Sequence, residues 1–305
     1  MRNLSRPAHG PRLRHAPLGV ACAALCFAVL FHVCANLPAG AADGIRVSDV
    51  ILFGDMDCFR IETPSATYLY GKRGAGLAGL VDPDGHDWIS YHPDGKALGE
   101  YRGLPKCGQP VKFFHCGYGF GQYTNDNPFL STVTLRESGH VRIHSETRRR
   151  DAVCDWDFHP THATLSLTRC GTNGYWFLYE GTPGGTLDAA EDFVVRPGGR
   201  RTLLSEPWTD VVPWVCFGAK ESAFGLVLAN HQTNSPVDSY VSWPYKPEPD
   251  GGLNQMTVFG FGRRGWQDPK QHDPALRQLP ARFSVALTRG TDRDTIERTL
   301  KALTP

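Results

Sequence analysis

The chain has 305 residues, of which 41% are hydrophobic and 21% charged, and its 32 Lys and Arg against 31 Asp and Glu give a net charge of +1. That balance, with no basic stripe, excludes the electrostatic footprint of a nucleic-acid binder, and the apolar content excludes a disordered chain. The length is ample for one large domain.

Residues 1–18 carry Arg2, Arg6, Arg12 and Arg14 and no acid; Val20 to Leu37 is almost wholly apolar, and Pro-Ala-Gly-Ala-Ala follows at 38–42. Basic region, apolar core and small-residue site form the order of a secretory signal, so residues 1–42 read as a signal peptide cleaved after Ala41 or Ala42. An uncleaved membrane anchor is the alternative, because the apolar core is long. Losing the four arginines leaves 28 bases against 31 acids, a faintly acidic domain over 43–305 that is expected to be periplasmic or secreted. Beyond the export signal, nothing in the pattern calls for a membrane or a nucleic acid as partner.

Strand signals fill the domain. Ile45–Phe53 is β-rich, Phe59–Thr63 alternates strictly, and Ala66–Tyr70 and Gly76–Val81 follow across a Gly-Lys-Arg-Gly turn. Asp82-Pro83-Asp84-Gly85 is a turn, after which His86–Tyr91 resumes the sheet. Further strands are expected at Ser131–Leu135, Val141–Ser145, Ala152–Phe158, Thr164–Thr168, Tyr175–Glu180, Val211–Phe217, Phe224–Asn230, Met256–Phe261 and Ala281–Leu287. Only the tail reads as helix, with Thr291 and Asp294 as its cap and Ile296, Leu300 and Leu303 on one face. Many short strands, Gly/Pro/Asp turns and one terminal helix specify an all-β, two-sheet antiparallel sandwich.

One stretch breaks the pattern. Residues 99–123, GEYRGLPKCGQPVKFFHCGYGFGQY, combine Gly, Pro, aromatics, His115 and Glu100–Arg102 without a regular period. A long irregular segment rich in aromatics inside a compact domain is the expected place for a site. Six of the nine cysteines lie beyond the signal: Cys58, Cys107, Cys116, Cys154, Cys170 and Cys216. An even number in an exported chain allows up to three disulfides, Cys107 with Cys116 across the irregular stretch, Cys154 with Cys170 across a hairpin, and Cys58 with Cys216 as the remainder, although six cysteines leave the connectivity open. No Cys-x-x-Cys spacing marks a metal site, and no motif calls for an organic cofactor.

The phrases TYLYGKRGAGLAGLVDPDGHDWISY, YWFLYEGTPGG and ARFSVALTRGTDRDTI resemble exported bacterial β-proteins of the galactose-mutarotase-like supersandwich type. That group includes aldose epimerases and the sandwich domains of polysaccharide lyases and glycosidases. The resemblance implies a large sandwich with a poly- or oligosaccharide on its concave sheet, reached by loops such as 99–123. It does not carry a complete epimerase motif.

Sugar sites pair aromatic platforms with charged groups that meet hydroxyls. The substrate-binding candidates are Glu100, Tyr101, Tyr123, Glu206, Trp208 and Tyr240; the catalytic candidates are His115, Glu180, Arg102, Tyr118 and His231. Imidazole titrates near neutrality, which suits His115 and then His231 to proton transfer, while Glu180 ends an apolar strand where a carboxylate can serve as base. Arg102 offers a bidentate fork for a uronate. Each has a structural alternative: buried imidazoles bond loop carbonyls, and aromatic residues pack cores. The reading is a secreted polysaccharide-degrading protein, a lyase using Arg102 with His115 or a tyrosine, or a hydrolase using Glu180 and Glu206. A non-catalytic glycan-binding or envelope protein is the alternative, and an aldose epimerase a weaker one.

Overall fold

Alternation of apolar and polar side chains along short extended segments decides the architecture. In the computed structural model, which describes residues 44–93, 102–107, 115–116, 126–171, 174–232, 236–243, 255–265 and 274–303, these segments are all antiparallel strands. The first six are β1 (Arg46–Leu52), β2 (Met56–Glu62), β3 (Thr67–Gly71), β4 (Gly76–Val81), β5 (Gly103–Lys106) and β6 (Phe129–Glu137). Next come β7 (His140–Thr147), β8 (Ala152–Phe158), β9 (Ala163–Cys170), β10 (Phe177–Gly181), β11 (Phe193–Arg196) and β12 (Arg200–Leu203). The last are β13 (Trp208–Asp210), β14 (Trp214–Gly218), β15 (Phe224–Asn230), β16 (Asp238–Trp243), β17 (Met256–Phe261) and β18 (Ala281–Arg289), followed by α1 (Arg293–Leu303).

Two nine-stranded sheets result. Sheet one runs β1-β2-β3-β4-β5-β10-β17-β16-β13, and sheet two runs β12-β11-β14-β15-β18-β9-β8-β7-β6. Their facing sides bury Trp88, Trp156, Tyr70, Tyr179, Phe217 and Phe283 in one continuous core. Aromatic polar ends are satisfied there: Tyr70 Oη bonds Ser145 Oγ at 2.7 Å and Tyr179 Oη donates to the Trp88 carbonyl at 2.5 Å. Two edge strands are tied where Ile45 N donates to Ser138 O at 2.7 Å.

The helix closes part of the outer face of sheet two. Ile296 and Leu303 pack on Phe193, Val195, Val227 and Ala286, each buried anchor stabilising by roughly 1.5–3 kcal/mol. Asp292, rather than Thr291, caps it, its Oδ1 accepting from Thr295 N at 2.9 Å. The expected strand at 86–91 is not formed. Asp87 instead accepts from the Leu80 and Ile89 N–H groups at 3.0 Å, which folds the segment into a turn over β4.

The expected disulfides are not formed: all six cysteines are free and buried. Cys58 belongs to sheet one, whereas Cys216 lies in the layer under α1, on the far side of sheet two from the core. Cys116 turns its Sγ to the Arg102 carbonyl at 3.6 Å instead of to Cys107. Cys154 stands opposite Leu167 and Cys170 opposite Ala152, so the symmetry of their sequence positions does not pair them. Burial pushes the Cys58, Cys170 and Cys216 thiols up to about 12, so they are neutral core side chains.

Candidate functional site

Strand β10 builds the site. Phe177 and Tyr179 point into the core, Phe177 stacking on Phe283 at 4.4 Å, so Leu178 and Glu180 point to the outer face of sheet one. Glu180 is only 4% exposed. Opposite it stand Val258 of β17 and Gly103 of β5, and opposite Leu178 stand Gly260 and Lys106. A register shift between Leu178 and Glu180 puts both Gly103 and Lys106 on the outer face, where Lys106 Nζ lies 3.5 Å from Glu180 Oε2. Met256, Val258 and Val241, with Trp243 beside them, form an apolar floor.

His115 fills the space that a side chain at Gly103 would occupy: a Cβ there would stand 3.3 Å from its Nε2 and Cδ2. Since Gly103 faces Glu180 across the ladder, the buried imidazole and the carboxylate share one patch of the sheet. Tyr91 meets the His115 ring edge-on with centroids 6.0 Å apart. The His115-Cys116 backbone is seated on glycines: a Cβ at Gly71 would stand 2.9 Å from Cys116 O, and one at Gly74 would collide with His115 O. This close approach is why the turn before β4 needs glycine.

Arg102 is held differently from a substrate clamp. Its Nη1 donates to Ser90 O at 3.1 Å and its Nη2 to Gln255 O at 3.3 Å, so the fork joins two backbone segments. Burial raises the nearby Asp87 carboxyl, with backbone N–H groups and the Arg102 charge pulling the other way. Arg263 follows β17 and is 5% exposed; burial lowers it to about 10, and the Glu180 charge counteracts that fall. Its guanidinium lies 5.7 Å from the Trp176 ring.

Among the described residues, the buried Glu180 Oε2 and Trp176 Nε1 have no hydrogen-bond partner. One is an acceptor on β10 and the other a donor on the residue just before it, in alternating positions along the chain. Such groups are costly to leave unmet unless a ligand meets them, and a sugar hydroxyl can serve either.

The structure thus brings together Arg102, His115 and Glu180 of the sequence candidates. It moves His231 to the outer face of sheet two, where its Nε2 bonds Ser284 Oγ at 2.8 Å. Tyr240 is core, donating to Leu204 O at 2.7 Å, and Trp208 packs against Tyr240, Phe259 and the Arg196 guanidinium. Glu206 is an exposed turn residue before β13. Strands β10 and β13 are separated by β17 and β16, hence roughly 14 Å apart at ~4.8 Å per strand. Glu100, Tyr101, Tyr118 and Tyr123 lie outside the described residues, as do residues 1–43. Sequence reasoning missed Lys106, Trp176, Arg263 and Tyr91. Lys106 was hidden in the irregular stretch, and the YWFLYE tract offered Trp176 only as one aromatic among several.

No family model and no curated protein matches the sequence. Among solved structures, the protein HI1317 superposes with a TM-score of 0.50 over 79% of this chain and 99% of its own, at 13% identity. The two share one fold, a large antiparallel β-sandwich of two sheets. A candidate mutarotase (YeaD) from Salmonella typhimurium aligns at TM-score 0.44 and 10% identity, covering 79% of this chain and 93% of its own. A galactose mutarotase-like protein from Clostridium acetobutylicum aligns at 0.43 and 8%, covering 81% and 98%. On this sandwich the carboxylate-bearing outer face of sheet one, centred on β5 and β10, is the candidate site.

Proposed function

We propose that the chain is a carbohydrate-active enzyme that interconverts forms of a single sugar ring by acid–base catalysis, an aldose-epimerase type of reaction, with Glu180 and His115 as the proton-handling pair. The observation that carries this reading is the buried Glu180 carboxylate, with one oxygen lacking a hydrogen bond, on the same sheet patch as the His115 imidazole. Glu180 takes the proton from the anomeric hydroxyl while His115 delivers one to the ring oxygen. The C1–O5 bond opens to the aldehyde, which rotates and recloses from its other face with the protons returned. Trp176 Nε1 and the Lys106 ammonium are placed to hold hydroxyls.

The described residues of this face do not present the groups that polysaccharide cleavage asks for. A lyase needs a free cation at the uronate, but the Arg102 fork is engaged with Ser90 O and Gln255 O. A hydrolase needs a second carboxylate within ~6.5–9.5 Å of the first, and Glu206 lies beyond that. We also infer that residues 1–42 direct export; N-terminal sequencing of protein recovered from the cell envelope would start at Asp43 or Ala42, and an intact Met1 would reject cleavage.

The test is exchange NMR on freshly dissolved α-aldopyranoses, with a parallel screen of polysaccharides for unsaturated uronate and new reducing ends. Accelerated anomer exchange, lost in Glu180→Gln and His115→Asn, supports the reading. New chain ends without anomer exchange would replace it with a depolymerase. Glycan binding that survives Glu180→Gln, without turnover, would leave a binding module.

A further inference from the structure

The outer face of sheet two carries a row of histidines that the proposed chemistry does not use. The turn between β8 and β9 is His159-Pro160-Thr161-His162, closed by His159 N donating to His162 O at 2.8 Å. The His159 ring stacks on His140 of β7 with centroids 4.6 Å apart and planes inclined by 19°. On its other side it stacks on His162 at 4.7 Å and 29°. Three imidazoles therefore form one continuous pile joining the turn to the sheet.

Around this pile the charges are uneven. His140 Nε2 bonds Asp157 Oδ1 at 2.5 Å, and the same oxygen accepts Arg142 Nε at 2.7 Å. Although burial acts to raise it, the Asp157 carboxyl is held below its ordinary value by Arg142 and His140, so it stays ionised and already has two partners. Arg282 of β18 and His231, bonded to Ser284, face the pile from the other side and add positive or protonatable groups. Further along the row, Asp155 is taken by His144 Nδ1 at 2.9 Å. Among the described residues facing His159 and His162, Asp157 is the one carboxylate.

We propose that the His140–His159–His162 stack is an acid-released clasp: with neutral rings it holds the 159–162 turn against sheet two, and protonation of His159 and His162 drives the turn off. The stacked imidazoles lie within 5 Å of their neighbours and close to Arg142 and Arg282. The one nearby carboxylate among the described residues, Asp157, is already bonded to His140 and Arg142, so a second proton on the stack meets net repulsion. Burial, then the neighbouring positive groups, lowers His159 and brings His162 down to about 4. The sign follows from those depressions. A histidine in the released turn recovers an ordinary value near 6.5, so the released form binds protons first. The clasp is fully closed above about pH 6.5 and weakens as pH falls from there toward 4.

Amide hydrogen exchange on the whole chain at pH 7 and pH 5, corrected for intrinsic exchange, tests this. Protection at 158–163 is expected to fall by about tenfold or more at pH 5, tenfold being what one unit of pKa displacement carries, while β15 and β17 hold theirs. The double variant His159→Phe/His162→Phe keeps stacked rings that cannot charge, and should retain protection at both pH values. Unchanged protection in the natural chain, or an equal loss in the double variant, would overturn the clasp. If the double variant does not fold, imidazole NMR titration of the natural chain decides: midpoints of His159 and His162 below that of an exposed histidine support the proposal, and ordinary midpoints refute it.

Discussion

The two outer faces of this sandwich are built from the same strand periodicity and treated in opposite ways. On sheet two, α1 covers Phe193, Val195, Val227 and Ala286, and the polar strip beside it is paired group by group: His140 with Asp157, His144 with Asp155, His231 with Ser284. On sheet one, Glu180, Trp176 and Arg263 are more deeply buried than that strip, yet among the described residues Glu180 Oε2 and Trp176 Nε1 are left without hydrogen bonds. Folding alone has no use for a buried carboxylate so incompletely satisfied, because an apolar side chain would cost less there. The face optimised for stability and the face that tolerates a cost differ by only a few residues, and those residues mark the candidate site.

Substitutions can break or sharpen that contrast. The largest effect is expected for Glu180→Gln, a loss of about 10³-fold in anomer exchange, close to 4 kcal/mol of transition-state stabilisation, with little change in melting temperature. A large fall in melting temperature with activity retained would make the carboxylate structural. Gly74→Ala should cost about 3 kcal/mol or more, because its methyl collides with the His115 carbonyl oxygen. Calorimetry would then show a midpoint roughly 6–12 °C lower, with activity falling alongside as His115 is displaced. On the other face, Ile296→Ala is expected to cost about 2.5 kcal/mol by loosening α1 while leaving the chemistry intact. Coupled loss of activity would show that the two faces communicate.

Arg102→Met tests whether the guanidinium serves backbone or substrate. Removing its bonds to Ser90 O and Gln255 O should lower stability by about 2 kcal/mol in denaturant titration, with KM shifted less than kcat. A raised KM at unchanged stability would return it to the role of an anion clamp. Glu206→Gln is the smallest: an exposed turn residue should change stability by less than about 0.5 kcal/mol and activity not at all. Lost activity there would revive the two-carboxylate hydrolase.

Legibility in the sequence followed locality. Ala152–Phe158, Phe224–Asn230 and Met256–Phe261 are strands at the residues expected, because each signal, an apolar and β-prone run bounded by turn residues, lies within the segment itself. β5, β11, β12, β13 and β16 escaped notice: the first four are only three or four residues long, too short to display a period, and β16 is neither cleanly alternating nor uniformly apolar. The expected strand at 86–91 fails because Asp87 offers its carboxylate to the backbone, a competition that residue-type preference does not weigh. For the site, Glu180 and His115 stood out by their contexts, one ending a buried strand and the other set in the irregular stretch. Trp208 and Tyr240 looked equally suited to sugar binding, yet register turns them into the core.

By itself, then, the sequence determined an all-β sandwich with a terminal helix, and the stretch from which half of the site would come. Those properties are written in local periodicity, turn residues and composition. Tertiary structure alone decided that β5 inserts between β4 and β10, which sets Gly103, and through it His115, opposite Glu180. It likewise decided that six cysteines stay apart as buried thiols and that three histidines pile up on the far face. Facing and register depend on contacts between residues far apart in the chain, and a one-residue shift of register sends a side chain to the opposite side of the sheet.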